Sequence, residues 1–539
     1  MKKTRLIRFA IYACALSVAW FLGIPNLTTA GPTEGALNLE RVGTGKTSDG
    51  QIDLGPYSKL APWPNTDDHY LYSGCYAIAP LVTTPGASQC FMTIDLKDPK
   101  NPVRLATVYA FDPVASPQPP STHPVWKDPK LAFLSVKEPC DTFKDPEVLS
   151  GKKPPACWDR GWNTHNHFVS YASNILAVNQ ERWRYGTNTQ ANYHGVKFYD
   201  ISDRANPKFL SSWEAPVSDP VGGRYPDAGG THHFNFDAEG NYLYIGTEYK
   251  GFIGKILVIL DVRDPKHPKE AGKWWLPGQK TPEEDGVRDW VQQENFNNPV
   301  QIVSGKYTKH VGMHYVTING NRAYLAYHQA GLVILDIADK SNPRFLSRLD
   351  YLVPGFVDPT MPDAMKQFPL DKIAYGNTHS ARLVPGRQGN LLWVTDEYFN
   401  CPYGHLRMVD IMDEAHPKII SHFMTDQNAA CNGNQPADPT RFPKRGPSSH
   451  IGNAWSKDLL FLAWYGMGLR VINIADPYHP VEAGFYEYRI DKDLPPRNDL
   501  AYAGSDTYDV LLGPEGLLYL SDGTAGLRVL KYTGPGFQR

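Results

Sequence analysis

The chain has 539 residues, 41% hydrophobic and 20% charged, with 46 glycines, 46 prolines and a formal net charge of −2. That balance offers no basic face for a nucleic-acid backbone, and the apolar fraction is that of a folded globular protein rather than a disordered one. Beyond residue 30 no stretch approaches the roughly 20 apolar residues that a membrane-spanning helix needs.

The first element is a basic head, MKKTRLIR, followed by the apolar run FAIYACALSVAWFLGI and the small residues Thr28 and Ala30. This pattern reads as a secretory signal peptide over residues 1–30, so the protein is expected to be periplasmic or secreted. Composition does not shift along residues 31–539, which are expected to form one domain. The six cysteines beyond the leader form an even set for an oxidising compartment. Their nearness in sequence suggests the pairs Cys75–Cys90, Cys140–Cys157 and Cys401–Cys431.

From YLYSG at residue 70 onward one unit recurs. It has two short alternating apolar strands, a third strand of the LVILD kind, an Asp-x-x-x-Pro turn and a fourth strand, as in GNRAYLAYHQAGLVILDIADKSNPRFLSRL at 320–349. The turn appears as KDPKNP, SDRANP, RDPKHP, ADKSNP, MDEAHP and ADPYHP. Third strands are FMTIDL, VKFYDI, ILVILD, LVILDI, LRMVDI, LRVINI and LRVLKY. Four-strand units repeated in this way predict an all-β fold, a seven-bladed β-propeller. The last unit lacks a fourth strand, so residues 37–66 are expected to supply one and close the ring. The Pro-rich stretches 112–160, 275–308 and 351–374 are expected to be loops decorating one face.

GLVILDIADKSNP, GLRVINIADPYHP and ILVILDVRDPKHP resemble the LVIVD repeat of exported bacterial β-propeller proteins. The resemblance spans the chain from about residue 65 to its end. It implies the fold and says little of activity, because its residues pack blades and make turns.

Aligned on their first strands, the units read NTHNHFVSY, GTHHFNF, VGMHYVTI, NTHSARL, SSHIGNAW and SDTYDVLL. Five consecutive units place histidine at the strand start: His165 or His167, His232, His314, His379 and His450. Tyr508 follows in the same place. In a propeller the first strands line the central channel, so these residues are expected on one rim. The loops between second and third strands return to that rim with Glu248, His328, Asp396, Glu397, Tyr465 and Asp522. His233 and His167 should face away from His232 and His165 by the period-2 rule.

A single histidine at a strand start is ordinarily a hydrogen-bonded structural residue, and His267, His405, His416, His422 and His479 are read that way. Five in register are the donor set of a metal ion, with His165, His167, His232, His314, His379 and His450 as candidate ligands. Cysteine is absent from the rim, and all-imidazole ligation with carboxylates nearby favours copper over iron or zinc. In layout alone the arrangement is similar to the copper enzymes nitrous oxide reductase and thiocyanate dehydrogenase and to the four-histidine iron carotenoid oxygenases. Glu248, Asp396 and Glu397 are the candidate proton carriers. The expected function is a metal-dependent oxidoreductase acting on a small-molecule substrate. The alternatives are a propeller scaffold for a protein or glycan partner, and a metal-dependent hydrolase or hydratase.

Overall fold

The computed structural model describes residues 34–44, 46–47, 50–51, 69–74, 90–109, 162–163, 166–182, 195–216, 230–252, 254–277, 279–280, 312–328, 330–349, 377–384, 386–387, 389–398, 403–428, 430–432, 435–436, 446–452, 454–488, 505–513, 515–523 and 526–538. The signal peptide, His165, most of the Pro-rich stretches and at least one member of each proposed cysteine pair lie outside them. Among the described residues there is no helix, hence none long and apolar enough to cross a membrane.

Seven sheets follow one another around a ring, antiparallel throughout except for one parallel bridge, Lys46 to Val103, at the edge of blade 1. Blade 3 is typical. Its strands Thr231–Phe236, Tyr242–Glu248, Lys255–Asp261 and Lys269–Trp274 run from channel to periphery in sequence order. The third strand is buried on both faces because each blade is packed between two others, which is why LVILD-type strands are continuous apolar runs. Ile256 to Leu260 are fully buried, and each such aliphatic side chain stabilises the fold by roughly 1.5–3 kcal/mol.

The ring closes as the sequence predicts. Leu39–Thr44 pairs antiparallel with Gly526–Tyr532 and becomes the fourth strand of blade 7. One addition was not foreseen: Glu34–Leu37 pairs with Val481–Tyr488, giving blade 6 a fifth, outermost strand. Lys46 then bridges Val103 of blade 1, so the N-terminal segment fastens three successive blades and no single sheet edge carries the closure.

The Asp-x-x-x-Pro turns have their own chemistry. Asp264 accepts the Lys266 amide at 3.1 Å and the His267 Nδ1–H at 2.8 Å. Asp413 with His416 and Asp476 with His479 repeat the bond at 2.8 Å, and Asp98 takes Asn101 in the same way. These turns also fasten the ring, because the fourth strand of the preceding blade bonds to them. Ser211, Ser347 and Ser421 donate to the carbonyls of Pro265, Glu414 and Pro477. Gly272 holds the corresponding place in blade 3, where an added Cβ would stand 2.1 Å from the Lys340 carbonyl oxygen.

Candidate metal centre

The inner strands start irregularly, and the irregularity falls on the rim residues. In blade 3 Thr231 faces Thr247 and His233 faces Gly246, which leaves His232 as the extra residue of a β-bulge. His379 and Tyr508 are the extra residues between Thr378 and Ser380 and between Thr507 and Asp509. In blade 4 the amide of His314 bonds to Ala326, which also pairs with Tyr315, and in blade 6 His450 and Ile451 share Ala463 in the same way. A bulge turns a side chain off the face that simple alternation assigns to it. Here it directs successive rim residues toward one another.

The result is a row of imidazoles. Ring centroids are 4.2 Å apart for His232 and His314, 4.0 Å for His314 and His379, and 4.3 Å for His379 and His450. Tyr465 continues the row at 4.5 Å from His450, with Tyr508 at 5.9 Å. His314 Nδ1–H donates to the His379 carbonyl at 2.9 Å, and His450 Nδ1–H donates to the Tyr508 carbonyl. A backbone bond at Nδ1 fixes the tautomer and makes Nε2 the nitrogen that carries the lone pair.

Blade 2 resolves the ambiguity between its two histidines only in part. Asn166 makes the bond to the next blade that His314 and His450 make, donating to the His232 carbonyl. His167 stands one place further on, in register with His233, and bonds through Nε2 to the Tyr72 carbonyl of blade 1 at 2.9 Å. His233 packs behind the rim, stacked on Tyr315 at 3.5 Å and edge-on to Phe168.

The three candidate carboxylates separate. Glu397 is drawn in: its Oε2 lies 3.8 Å from His379 Nε2, and its Oε1 accepts the Tyr465 hydroxyl. Ligand atoms of His314, His379 and Glu397 all lie within 4.8 Å of one another. Asp396 points the other way and forms a buried ion pair with Arg407 of the next strand. Glu248 ends its strand half-buried, with its amide on the Gly230 carbonyl.

Two hairpin residues hold strained positions beside the row. His328 and Tyr465 have φ of +44° and +29°, a region that side chains other than glycine's rarely adopt. Each bridges to the inner strand of the following blade, at Thr378 and Thr507. His328 thereby packs on His314 at 4.7 Å, and Tyr465 reaches Glu397. The sequence marks both places with a glycine three residues later, in HQAG and YGMG.

A second histidine pair lies in blade 5. His405 Nε2 and His422 Nδ1 are 2.9 Å apart and buried. Burial, then the positive charge of Arg407, then His422 hold the His405 imidazole well below its ordinary pKa.

The family model of the LVIVD repeat matches residues 235–274 and 314–350, in blades 3 and 4. No curated protein sequence matches the chain. Solved structures similar to it include the periplasmic gluconolactonase PpgL of Pseudomonas aeruginosa, at 13% identity over 72% of this chain and 87% of that one, with a TM-score of 0.42. A putative 6-phosphogluconolactonase from Bacteroides uniformis is 10% identical over 79% and 83%, TM-score 0.41. An inactive virginiamycin B lyase from Staphylococcus aureus is 10% identical over 92% and 98%, TM-score 0.42. Likeness at this level carries no activity across.

Proposed function

We propose that the protein is an exported metalloenzyme, a copper oxidoreductase that acts on a small molecule at the histidine-lined mouth of the channel. The observation that carries this reading is the convergence of His314, His379 and Glu397 within 4.8 Å. Two ligands at about 2.0–2.1 Å from one ion stand no more than about 4.2 Å apart, so shifts below an ångström bring the three donors into range. Two imidazoles and a carboxylate suit copper and also ferrous iron; the adjoining imidazoles of His232, His328 and His450 favour copper.

A copper ion there supplies one-electron exchange with a bound substrate. The chain's own residues do the rest. The His379 carbonyl orients His314, Tyr465 orients Glu397, and the hydrophobic blade interfaces keep the donors rigid. Glu397 and Glu248 are the groups available to carry protons. Asp396 is paired with Arg407 and serves the blade.

The scaffold reading draws on the backbone bonds of His314 and His450, which would also suit purely structural histidines. Electron paramagnetic resonance of the untagged protein loaded with Cu(II) separates the two. The proposal expects a stoichiometric signal with splitting from at least two imidazole nitrogens, bleached by a mild reductant and restored by air. A signal indistinguishable from copper on an unrelated protein surface would leave the scaffold.

A further inference from the structure

Arg382 lies on the inner strand of blade 5, three residues beyond His379, roughly 10 Å along the strand at ~3.3 Å per residue. The same place in the two preceding blades joins neighbouring blades. Asn235 donates to the Val316 carbonyl at 3.4 Å, and Thr317 donates to the Ala381 carbonyl at 2.6 Å. Arg382 makes no such bond. Its guanidinium stands 4.8 Å from the centre of the Tyr315 ring, the residue that follows His314.

Nε and Nη2 of Arg382 are shielded from solvent and have no hydrogen-bond acceptor among the described residues, although the side chain as a whole is half-buried. Bulk solvent therefore does not reach either donor. Burial pushes the group down to about 10, opposed only by the charge of Asp509, so it stays positive at neutral pH. A buried cation with unmade bonds is costly unless a partner joins it.

The two atoms are also neighbours. Nε–H and Nη2–H form one edge of the guanidinium, two parallel donors matched to the two oxygens of a carboxylate. The protein uses this same edge elsewhere: Arg263 takes Asp261 through Nε at 2.9 Å and through Nη2.

We propose that the Nε–Nη2 edge of Arg382 is a subsite for a planar oxyanion, the carboxylate of a small molecule, inside the channel beside the histidine row. Uptake entails a turn of the long side chain to present the edge, with Tyr315 as its platform. If the histidine row holds a metal, the bound carboxylate anchors the substrate of that site, and this extension alone rests on the proposed function. The subsite itself needs no metal.

The test is calorimetric titration of the full, untagged, metal-free protein with sodium acetate, sodium nitrate and sodium chloride. Saturable acetate binding at one site per chain is expected, with chloride at least tenfold weaker because a sphere does not match the fork. Arg382→Met should abolish binding, and Arg382→Lys, which keeps the charge and loses the fork, should weaken it at least tenfold. Nitrate equal to acetate would support the fork and assign it to inorganic oxyanions; preference for acetate would support the carboxylate. Absence of saturable acetate binding in the wild type, acetate binding undiminished in Arg382→Lys, or chloride as tight as acetate would overturn the proposal. Should Arg382→Met fail to fold, the lysine variant and the chloride comparison still decide. Acetate uptake by a protein that takes up no copper would keep the subsite and remove the oxidoreductase.

Discussion

Two sets of histidines in this propeller follow opposite rules. His267, His416 and His479 are exposed, each bonded at 2.8 Å to the aspartate three residues earlier in its own turn. His314, His379 and His450 are buried, in ring contact with one another, and His314 and His450 are held by backbone of the following blade. A histidine bonded within its own turn strengthens that turn and reaches nothing else. One held by the next blade is aimed into space that several blades share. For His314 and His450, the strand that accepts the Nδ1 hydrogen bond is what separates them from the turn histidines.

The contrast is most exposed to failure at the row itself. His314→Ala or His379→Ala should lower Cu(II) affinity at least 100-fold in a competition titration, while His416→Ala leaves it unchanged. Equal losses in both sets would erase the distinction. Tyr465→Phe removes the hydroxyl that holds Glu397 and should cost about tenfold in metal affinity with the fold intact, the usual size for a residue that orients a ligand. An unchanged affinity would mean that Glu397 needs no support.

Acid titration sharpens the comparison in stability. The His405 imidazole is depressed in the folded state, so below about pH 6.5 the unfolded chain binds a proton that the folded one does not. Stability should then fall as pH drops, by at most about 1.4 kcal/mol per pH unit. In His405→Gln the loss between pH 6.5 and 5 should flatten in denaturant titrations. In the turns, the histidine bond holds the carboxyls of Asp264, Asp413 and Asp476 below their ordinary value, so their contribution persists above about pH 4 and is lost only below it. A single acid transition shared by wild type and variant would contradict separate windows. The smallest effect belongs to His479→Ala. It should shift Tm by no more than about 2 °C and leave bound metal unaltered.

Much of the architecture was legible because blade packing leaves a pattern. Third strands buried on both faces read as apolar runs, the Asp-x-x-x-Pro turns mark their ends, and the unpaired GLRVLKY strand announced the closure by Leu39–Thr44. Glu34–Leu37 was not legible, since EGAL carries no strand signal and is ordered by pairing with Phe485 to Tyr488. At the candidate site, register along the inner strands located His232, His314, His379 and His450. The bulges that turn them together leave no trace in a single sequence, because they arise from pairing. Asp396 and Glu397 are adjacent and equally acidic, and only the position of Arg407 one strand away shows which of them remains for the row. Blade 2 departs because Asn166, rather than a histidine, makes the bond to the next blade.

The most direct test of the central claim is the metal content of the untagged protein, purified without chelators after equilibration with copper, beside His379→Ala prepared identically. A copper site at the histidine row requires at least one tightly held copper per chain in the wild type and none in the variant, with both folded to the same extent. Less than about a tenth of an equivalent in the wild type, or the same content in both proteins, would contradict it.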